Sequence, residues 1–538
     1  MRRPCFRGRG FRGAERARAI RVTLYAPMYQ LMLILKYLVR KIAPLIAAIA
    51  VCLCTAMVIC VISVMGGFLD MLEISIQRTT GDVIITRGLT GFPYYDQLIA
   101  EIDKLPQAEA ATPVIESYAL LSVGDQAIPV KVVGIRPASY EKVTPWRRNL
   151  VWSEQDVIDK IRQRQNRPDF PPELRADYDA QVEQLKKIDI KQFGETMTVP
   201  TNWQTDPQHP LAAAVIGIEV NPYHIRDARG QYDLDNSLVF PNHWPTTRQV
   251  KLTTVPLNTR GSVDKLSPKS RNFITVNEYK SGHYEIDSMT VFVPFDVIQK
   301  MLDMEGYKGY PQYDDVTGRP VGEAVDVPPQ TTHILVRAAV DSATGQRYSA
   351  EALQEAVDGA IDRVRARVPL PIVGNRTWRQ AFARLLGAVG NEKGMVTFLF
   401  VIISIVAVFM VSTTFWTLVQ NKTRDIGVMR AIGASRAGIL SLFLGYGLAI
   451  GVVGAAAGFA LAWGIVTYLN EIQEFIAAYF GWRMWDPQIY AFDRIPSRID
   501  MHETLPIVFG AVLSSVLGAL IAALRAAALD PIEALRYE

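Results

Sequence analysis

Cysteine is scarce in this sequence and is confined to its first sixty residues. The chain of 538 residues has four cysteines, Cys5, Cys52, Cys54 and Cys60, and none follows. Disulfide bonds therefore cannot stabilise the long polar stretch in the middle of the chain. That stretch, of roughly 320 residues, is large enough to be held by a hydrophobic core of its own.

An excess of charge of one sign is also missing. Lys and Arg number 57 against 53 Asp and Glu, a formal net charge of +4, which argues against a nucleic-acid-binding protein. Hydrophobic residues make up 49% and charged residues 20% of the chain, which excludes a disordered protein. Mean hydropathy lies just above zero, so the apolar residues must be concentrated in parts of the chain.

The sequence lacks the local motifs of common catalytic and cofactor sites. Its six histidines are scattered without HExxH, and it has neither a GxSxG elbow nor GxGxxG after a strand. Residues 387–394 approach the ATP-binding pattern GxxxxGK[ST] but have Glu392 where the motif needs its second Gly, and end in Gly where it needs Ser or Thr. We therefore predict no catalytic residue, no cofactor and no metal in a protein that is not an enzyme. A metal site assembled from distant residues stays open.

Charge is absent from four long apolar runs, at residues 42–65, 395–420, 437–470 and 505–524. Each has the roughly 20 residues needed to cross about 30 Å of hydrocarbon, so we predict four transmembrane helices. The runs contain no Asp, Glu, Lys or Arg, which argues against a proton- or ion-coupled carrier.

Basic residues near the ends of these runs predict the orientation. They cluster before the first run, between the second and third, and after the fourth, which places those segments in the cytoplasm. The expected location is the cell inner membrane, with both termini cytoplasmic and a large periplasmic domain. The predicted division is an Arg-rich tail or over-extended start (1–27), a surface helix and first span (28–67), an extracytoplasmic domain (68–391) and a permease domain with a cytoplasmic tail (392–538).

The predicted extracytoplasmic domain is of the α+β class. Short β-rich segments such as 82–86, 127–135, 273–279, 288–294 and 333–337 alternate with helical patterns such as 95–105 and 350–368. We expect two α+β parts, separated by a polar insert near 141–210. A second insert near 306–330, rich in Gly, Pro and Asp, is typical of a long loop.

Two segments of the permease domain point to contacts. In the loop 421–436, Ile426, Met429 and Ile432 share one helical face that suits a partner's groove. The alternative is a basic cytoplasmic loop that only fixes the orientation of the protein in the membrane. On the third run, four glycines in two GxxxG pairs predict close helix packing, although glycine is common in membrane helices. These glycines are Gly447, Gly451, Gly454 and Gly458.

Three motifs together resemble a known superfamily. They are NKTRDIGVMRAIG at 421–433, ALDPIEALRYE at 528–538 and SGHYEIDSMTVFVP at 281–294. They are similar to the FtsX-like/MacB-like permease superfamily of ABC transporters, most closely its lipoprotein-releasing LolC/LolE branch. The resemblance implies four transmembrane helices with a large extracytoplasmic α+β domain of the MacB-like periplasmic core type, in which 273–294 is a strand pair.

The resemblance also implies partners and a mechanism. A separate cytoplasmic ABC ATPase would bind ATP and push on the coupling helix, and a second permease, identical or related, would complete the transporter. Lipoprotein acyl chains would leave the membrane between the helices and pass to a periplasmic carrier. The residues that match the family's coupling helix are Arg424, Asp425, Ile426, Met429, Arg430 and Gly433.

This sequence departs from the family pattern in several places. The inserts near 141–210 and 306–330 are longer than expected, and Asn277-Glu278 stands where Gly-Ile is frequent. Three other functions stay open: mechanotransmission for efflux as in MacB-like permeases, regulation of cell-wall hydrolases, and a membrane scaffold or receptor. The last predicts no ATPase partner.

Overall fold

The computed structural model describes most of the chain. It covers residues 42–124, 126–166, 168, 170–204, 208, 210–222, 224–226, 232–234, 249–256, 268–282, 284–309, 312–313, 320–321, 325–482 and 494–529. The predicted tail 1–27, the surface helix and most of the C-terminal motif lie outside these residues. The described residues form two compact units. The helical unit contains the residues up to Asp70, Gly387–Met484 and those from Ile495 onward, and the α+β unit contains Met71–Leu386.

The four predicted transmembrane helices are confirmed, because four helices among the described residues are long and apolar enough to cross a membrane. The first membrane helix is α1 (Ile42–Thr80), the second α12 (Ala383–Asn421), the third α14 (Arg436–Thr467) and the fourth α16 (Met501–Ala528). At 1.5 Å per residue the two helices of 39 residues are each about 58 Å long. Each therefore continues well beyond its uncharged run into charged sequence. Two shorter helices of this unit are α13 (Thr423–Ala431) and α15 (Leu469–Phe480).

Local capping explains where two of the membrane helices begin. The Ser435 hydroxyl accepts a hydrogen bond of 3.1 Å from the backbone N–H of Gly438 at the start of the third. The Asp500 carboxylate accepts one of 2.8 Å from the N–H of His502 at the start of the fourth. Both side chains satisfy N–H groups that a helix leaves without a partner in its first turn.

One mixed sheet of nine strands forms the α+β unit, in the order β17-β1-β16-β3-β4-β10-β5-β9-β8. Its strands are β1 (Val83–Thr86), β3 (Ala108–Val123), β4 (Gln126–Ile135), β5 (Ala212–Gly217), β8 (Gln249–Thr254), β9 (Lys269–Tyr279), β10 (Thr290–Pro294), β16 (His333–Ala338) and β17 (Gly374–Thr377). The expectation of two α+β parts was wrong, since strands from both form this sheet. The expected strand pair within 273–294 was wrong too, because β5 lies between β10 and β9.

Alternation along the strands gives the sheet two buried faces. Val83 and Ile85 belong to the core on one face, and Ile84 between them belongs to the core on the other. The first face is covered by α2 (Tyr95–Ile102), α9 (Phe295–Met301) and α10 (Ala350–Arg365). The second carries an aromatic cluster under α3 (Pro137–Val143) and α4 (Trp146–Asn149). Its closest ring pairs are Tyr279–Phe292, Trp146–Phe292 and Trp146–Tyr279, at 4.7, 4.9 and 5.3 Å.

The two predicted inserts contain regular structure. The first carries α5 (Glu154–Gln165), α6 (Arg175–Leu185) and α7 (Ile190–Thr196). A core of its own joins Trp152 to α5 and α6. The second insert is not one long loop: its described residues form short strand pairs. These are β11 (Tyr307–Gly309) with β14 (Val325–Val327), β12 (Gln312–Tyr313) with β13 (Pro320–Val321), and β15 (Gln330–Thr331) with β2 (Phe92–Pro93). The remaining described α-helices and strands are α8 (Tyr284–Met289), α11 (Trp378–Ala381), β6 (His224–Arg226) and β7 (Tyr232–Leu234).

Candidate functional site in the helical unit

The glycine stripe of the third membrane helix contacts two different helices. A Cβ atom on Gly447 would lie 2.5 Å from Cβ of Ala519, and one on Gly451 would lie 3.0 Å from Cβ of Ser515, both on the fourth helix. One turn further, the partner changes. A Cβ atom on Gly454 would lie 2.9 Å from the Ala48 carbonyl oxygen, and one on Gly458 would lie 2.6 Å from that of Cys52, both on the first helix. The four glycines therefore let the third helix approach the fourth at one height and the first at another.

Hydroxyl groups add hydrogen bonds between the same helices. Ser515 donates through Oγ to the Gly447 carbonyl oxygen at 2.9 Å, which joins the fourth helix to the third. Ser412 on the second helix donates through Oγ to the Gly518 carbonyl oxygen at 2.6 Å. In an apolar medium these donors have no water to bond, so the pairs fix the fourth helix between the second and third.

An apolar cavity of about 310 Å³ lies between the first, second and fourth membrane helices. Its wall is built from aliphatic and aromatic side chains with a few hydroxyls, and no charged residue lines it. The Thr55 hydroxyl oxygen on this wall is buried and has no hydrogen-bond partner among the described residues. Representative lining residues are Val51, Val58, Phe400, Val408, Ile507 and Ser514. The arrangement can hold a hydrocarbon chain.

Two ion pairs connect the ends of the membrane helices just outside their uncharged runs. Lys393 of the second helix lies 2.5 Å from the Glu503 carboxylate of the fourth. Arg498, in the segment before the fourth helix, lies 2.5 Å from the Asp70 carboxylate of the first. Both pairs are partly exposed to solvent, so their contribution is that of surface pairs, about 0–1 kcal/mol each.

The predicted coupling helix is α13, and its two faces differ. Ile426 is 1% exposed and lies in the core with residues of the membrane helices, and Met429 packs against the same core. Val428 and Ile432 are 43% and 82% exposed. Of the three residues that helical periodicity places on one face, Ile426 and Met429 therefore pack inward, and only Ile432, just after α13, is exposed. Among the described residues, Val428 and Ile432 form the exposed apolar surface that a partner would contact.

Charged residues of this segment have separate structural contacts. Arg430 donates through Nη1 to the carbonyl oxygens of Leu529 and, at 3.4 Å, of Ala527, so it binds the C-terminal end of the fourth membrane helix. Asp425 forms an ion pair with Lys422 within the same segment. Gly433 follows α13 with a φ of 107°, a left-handed conformation that favours glycine. Arg424 is exposed and forms no ion pair or side-chain hydrogen bond with the described residues.

The described residues of the motif SGHYEIDS at 281–288 surround one carboxylate. Asp287 accepts hydrogen bonds from the Ser281 N–H at 2.7 Å, the Ser281 hydroxyl at 2.8 Å and the Gly282 N–H at 3.0 Å. Burial raises the pKa of Asp287 to about 6, because desolvation outweighs these hydrogen bonds. The described part of this motif therefore has a structural role in holding the start of α8.

Sequence reasoning missed a second buried polar cluster, at Asn277-Glu278. The Asn277 side chain accepts from the Trp152 N–H at 3.1 Å and donates to the Trp152 carbonyl at 2.9 Å. The Glu278 carboxylate accepts from the Trp152 indole N–H and from Asn221, each at 2.7 Å. The available signal was the departure itself, an Asn-Glu pair near the end of a buried strand. Among the residues that the structure describes, no group of three or more His, Cys, Asp or Glu side chains could hold a metal ion.

The fold and this site together define a multi-pass membrane protein with an α+β unit between its first two membrane helices in sequence. Residues 397–531 match the family model described as FtsX-like permease C-terminal. This part of the chain is an FtsX-like permease domain, and the chain is homologous to the lipoprotein-releasing permeases LolC and LolE.

Individual relatives cover the chain only in part. The lipoprotein-releasing system transmembrane protein LolC of Xylella fastidiosa (strain 9a5c) is 28% identical over 272 residues, or 50% of this chain and 56% of that protein. The corresponding LolE of Haemophilus influenzae is 31% identical over 134 residues, or 24% and 31%. The uncharacterized ABC transporter permease YknZ of Bacillus subtilis is 31% identical over 120 residues, or 22% and 25%. The chain thus spans about half the length, or less, of these relatives.

One solved structure is also similar. The periplasmic region of MacB from Actinobacillus actinomycetemcomitans matches 59% of this chain and 97% of its own, with 10% identity and a TM-score of 0.26. At that score the likeness does not define the fold, which rests on the strands and helices described above.

Proposed function

We propose that this chain is the permease subunit of an ABC transporter that extracts lipoproteins from the inner membrane for a periplasmic carrier. The observation that carries the proposal is the FtsX-like permease match over 397–531, together with homology to proteins named lipoprotein-releasing. In this proposal the transporter is completed by a second permease, identical or related, and a separate ATPase binds the ATP. The α+β unit is periplasmic, and both chain termini and α13 are cytoplasmic, in line with the basic residues around α13.

The cavity between the first, second and fourth helices supports a lipid substrate. Its lining is apolar and uncharged, which suits an acyl chain and not an ion or a polar solute. Each CH₂ group that leaves a bilayer costs about 0.8 kcal/mol, so extraction of an acylated protein needs an external energy source. That requirement agrees with an ATPase partner, although the same partner would serve an efflux permease. The match to YknZ, which is named only as an uncharacterized ABC transporter permease, supports the broader permease function.

The ATPase contact is tested on the exposed face of α13. Ile432→Asp places a charge where an apolar side chain would be buried by the partner, so we expect at least tenfold weaker ATPase binding. Asp425→Lys should uncouple ATP hydrolysis from lipoprotein release while the protein stays in the membrane. Ile472→Asp is the matched control, because Ile472 is an exposed apolar residue on α15. Met429→Asp would not test the contact, because Met429 packs against the core and a charge there would destabilise the fold.

The measurement is affinity purification of the full chain in mild detergent, followed by identification of what co-purifies. A stand-alone P-loop ATPase and a bound lipoprotein are expected with the wild type and the control, and the ATPase should be lost with Ile432→Asp. ATPase without lipoprotein would support an efflux or mechanotransmission permease. Absence of any ATPase from the wild-type sample would contradict the transporter proposal and support a scaffold or receptor.

A further inference from the structure

A second cavity, of about 500 Å³, lies within the α+β unit. Its floor is one face of the large sheet, because lining residues alternate along the strands. Ile84 and Thr86 on β1, His333 and Leu335 on β16, and Lys131 and Val133 on β4 each lie two positions apart, so both members of each pair project to the same side.

The cavity extends across six neighbouring strands, from β17 to β10. Register pairs Arg376 of β17 with Ile84, Ile84 with Leu335, and, on the far side, Val133 with Phe292 of β10. At about 4.8 Å between strands, five intervals give a trough about 24 Å long. The trough is therefore elongated, and its length suits an extended chain better than a compact metabolite.

The roof and walls of this trough are mainly apolar. They come from the last residues of α1, the aromatic cluster, α8 and the end of α11. Residues that form them are Ile76, Tyr140, Tyr279, Ile286, Met289 and Phe382. Met289 is 44% exposed, so the trough is open to solvent at the α8 end.

Among the charged residues that face the trough, one cation has no partner within the part of the chain that the structure describes. The Glu116 carboxylate lies 2.7 Å from the Lys131 ammonium and 3.8 Å from Nε2 of His333. Burial opposes ionisation of Glu116, but His333 and Lys131 together hold its pKa below the usual range. Burial lowers the pKa of His333, so it is neutral at pH 7. Arg376 is exposed and forms no ion pair or side-chain hydrogen bond with the residues described, which leaves a net positive charge at the β17 end.

We propose that this trough binds a single-chain amphipathic anion, with its hydrocarbon chain along the apolar wall and its carboxylate or phosphate head group at Arg376. An elongated apolar space with one unpaired guanidinium at its end matches this chemistry. A neutral lipid would leave Arg376 without a partner, and an amphipathic cation would be repelled by it. The site belongs to the α+β unit alone, so it does not depend on the ATPase or on the proposed lipoprotein substrate.

The test uses the full chain in phosphatidylcholine nanodiscs without ATP or ATPase. The probe is palmitate carrying a diazirine, activated by light, and labelled peptides are located by mass spectrometry. We expect label on peptides containing Met289 and Phe382. Unlabelled palmitate and palmitoyl lysophosphatidate should each compete, and whichever competes at the lower concentration identifies the preferred head group. Hexadecanol, which lacks the charge, should not compete at the same concentrations.

Two variants and one control decide the outcome. Arg376→Glu should raise the palmitate concentration for half-maximal competition about tenfold, and Ala381→Trp, which fills the trough from its wall, should abolish labelling of both peptides. Arg271→Glu reverses an exposed arginine on β9 of the same sheet and should change nothing. Thermal unfolding of each variant shows whether it is folded. If Arg376→Glu does not fold, Arg376→Gln is used in its place. Labelling confined to the membrane helices, or equal in all variants, would overturn the proposal.

Discussion

The substitution Gly458→Ala tests whether the third membrane helix needs glycine at this position for close packing. The alternative is that Gly458 is one of the glycines that are common in membrane helices and has no packing role. In Gly458→Ala the new Cβ would lie 2.6 Å from the Cys52 carbonyl oxygen and 2.8 Å from Cβ of Thr55. Both neighbours are fixed to the backbone of the first membrane helix, so no flexible side-chain end can move aside. The first and third helices must therefore separate, or the local backbone must shift.

The magnitude is obtained by comparison with Gly464→Ala in the same helix. Nothing lies within 4 Å of a Cβ at Gly464, so that variant only gains the helix propensity of alanine, up to about 1 kcal/mol. Gly458→Ala gains the same term and also has the cost of overpacking, about 1–3 kcal/mol. The difference between the two variants is therefore about 1–3 kcal/mol, or roughly 5- to 150-fold in the unfolding equilibrium.

The assay is unfolding of the purified chain in mixed detergent micelles with increasing SDS, followed by tryptophan fluorescence. Gly454→Ala and Gly447→Ala should resemble Gly458→Ala, because their Cβ atoms would also meet helix atoms within 3.0 Å. If Gly458→Ala and Gly464→Ala unfold at the same SDS fraction, the first and third helices do not approach each other at this height. The packing role of the stripe would then be refuted.

Three further outcomes are expected. The folded-state pKa of Asp287 is raised from 3.8 to about 6, so the free energy of unfolding should fall by up to about 3 kcal/mol as pH rises from about 4 to 6. In thermal unfolding, Asp287→Asn should lack this dependence of stability on pH. Glu278→Ile removes the acceptor of two buried hydrogen-bond donors, so it should lower the free energy of unfolding by about 1–3 kcal/mol. It should also make residues 154–196 more accessible to trypsin, and equal cleavage of the variant and the wild type would contradict this. Lys393→Gln should lower stability by less than about 1 kcal/mol, and the double variant Lys393→Gln/Glu503→Gln should recover most of that loss. A larger loss in the same SDS assay that the double variant does not recover would show that Lys393 and Glu503 are not a surface ion pair.

The membrane helices could be predicted because their signal is local. About 20 consecutive uncharged apolar residues have few alternatives to a membrane span. Their ends could not be predicted from the same signal. The first helix runs on from residue 65 to Thr80 through Asp70 and Glu73, because backbone hydrogen bonding continues once the sequence becomes polar.

The sheet illustrates the opposite case. Strands such as β4 and β16 have recognisable β-rich sequences, but their order depends on pairings between residues far apart in the chain. β5, which separates β10 from β9, is the small-residue segment AAAVIG, and it carries no alternation of polar and apolar residues. The same limit applies to α13, because periodicity defined an apolar face but not the core that covers Ile426.

Two departures from the family pattern have one physical cause. The insert near 141–210 adds helices with a small core around Trp152, and such a core needs an attachment to the sheet. Asn277 and Glu278 provide it, since they bind both backbone polar groups and the indole N–H of Trp152. Gly-Ile at these positions would offer no side-chain acceptor, and Asn277-Glu278 without the insert would bury an amide and a carboxylate with fewer partners. The long insert and the polar pair on β9 therefore stabilise each other, and the presence of each accounts for the presence of the other.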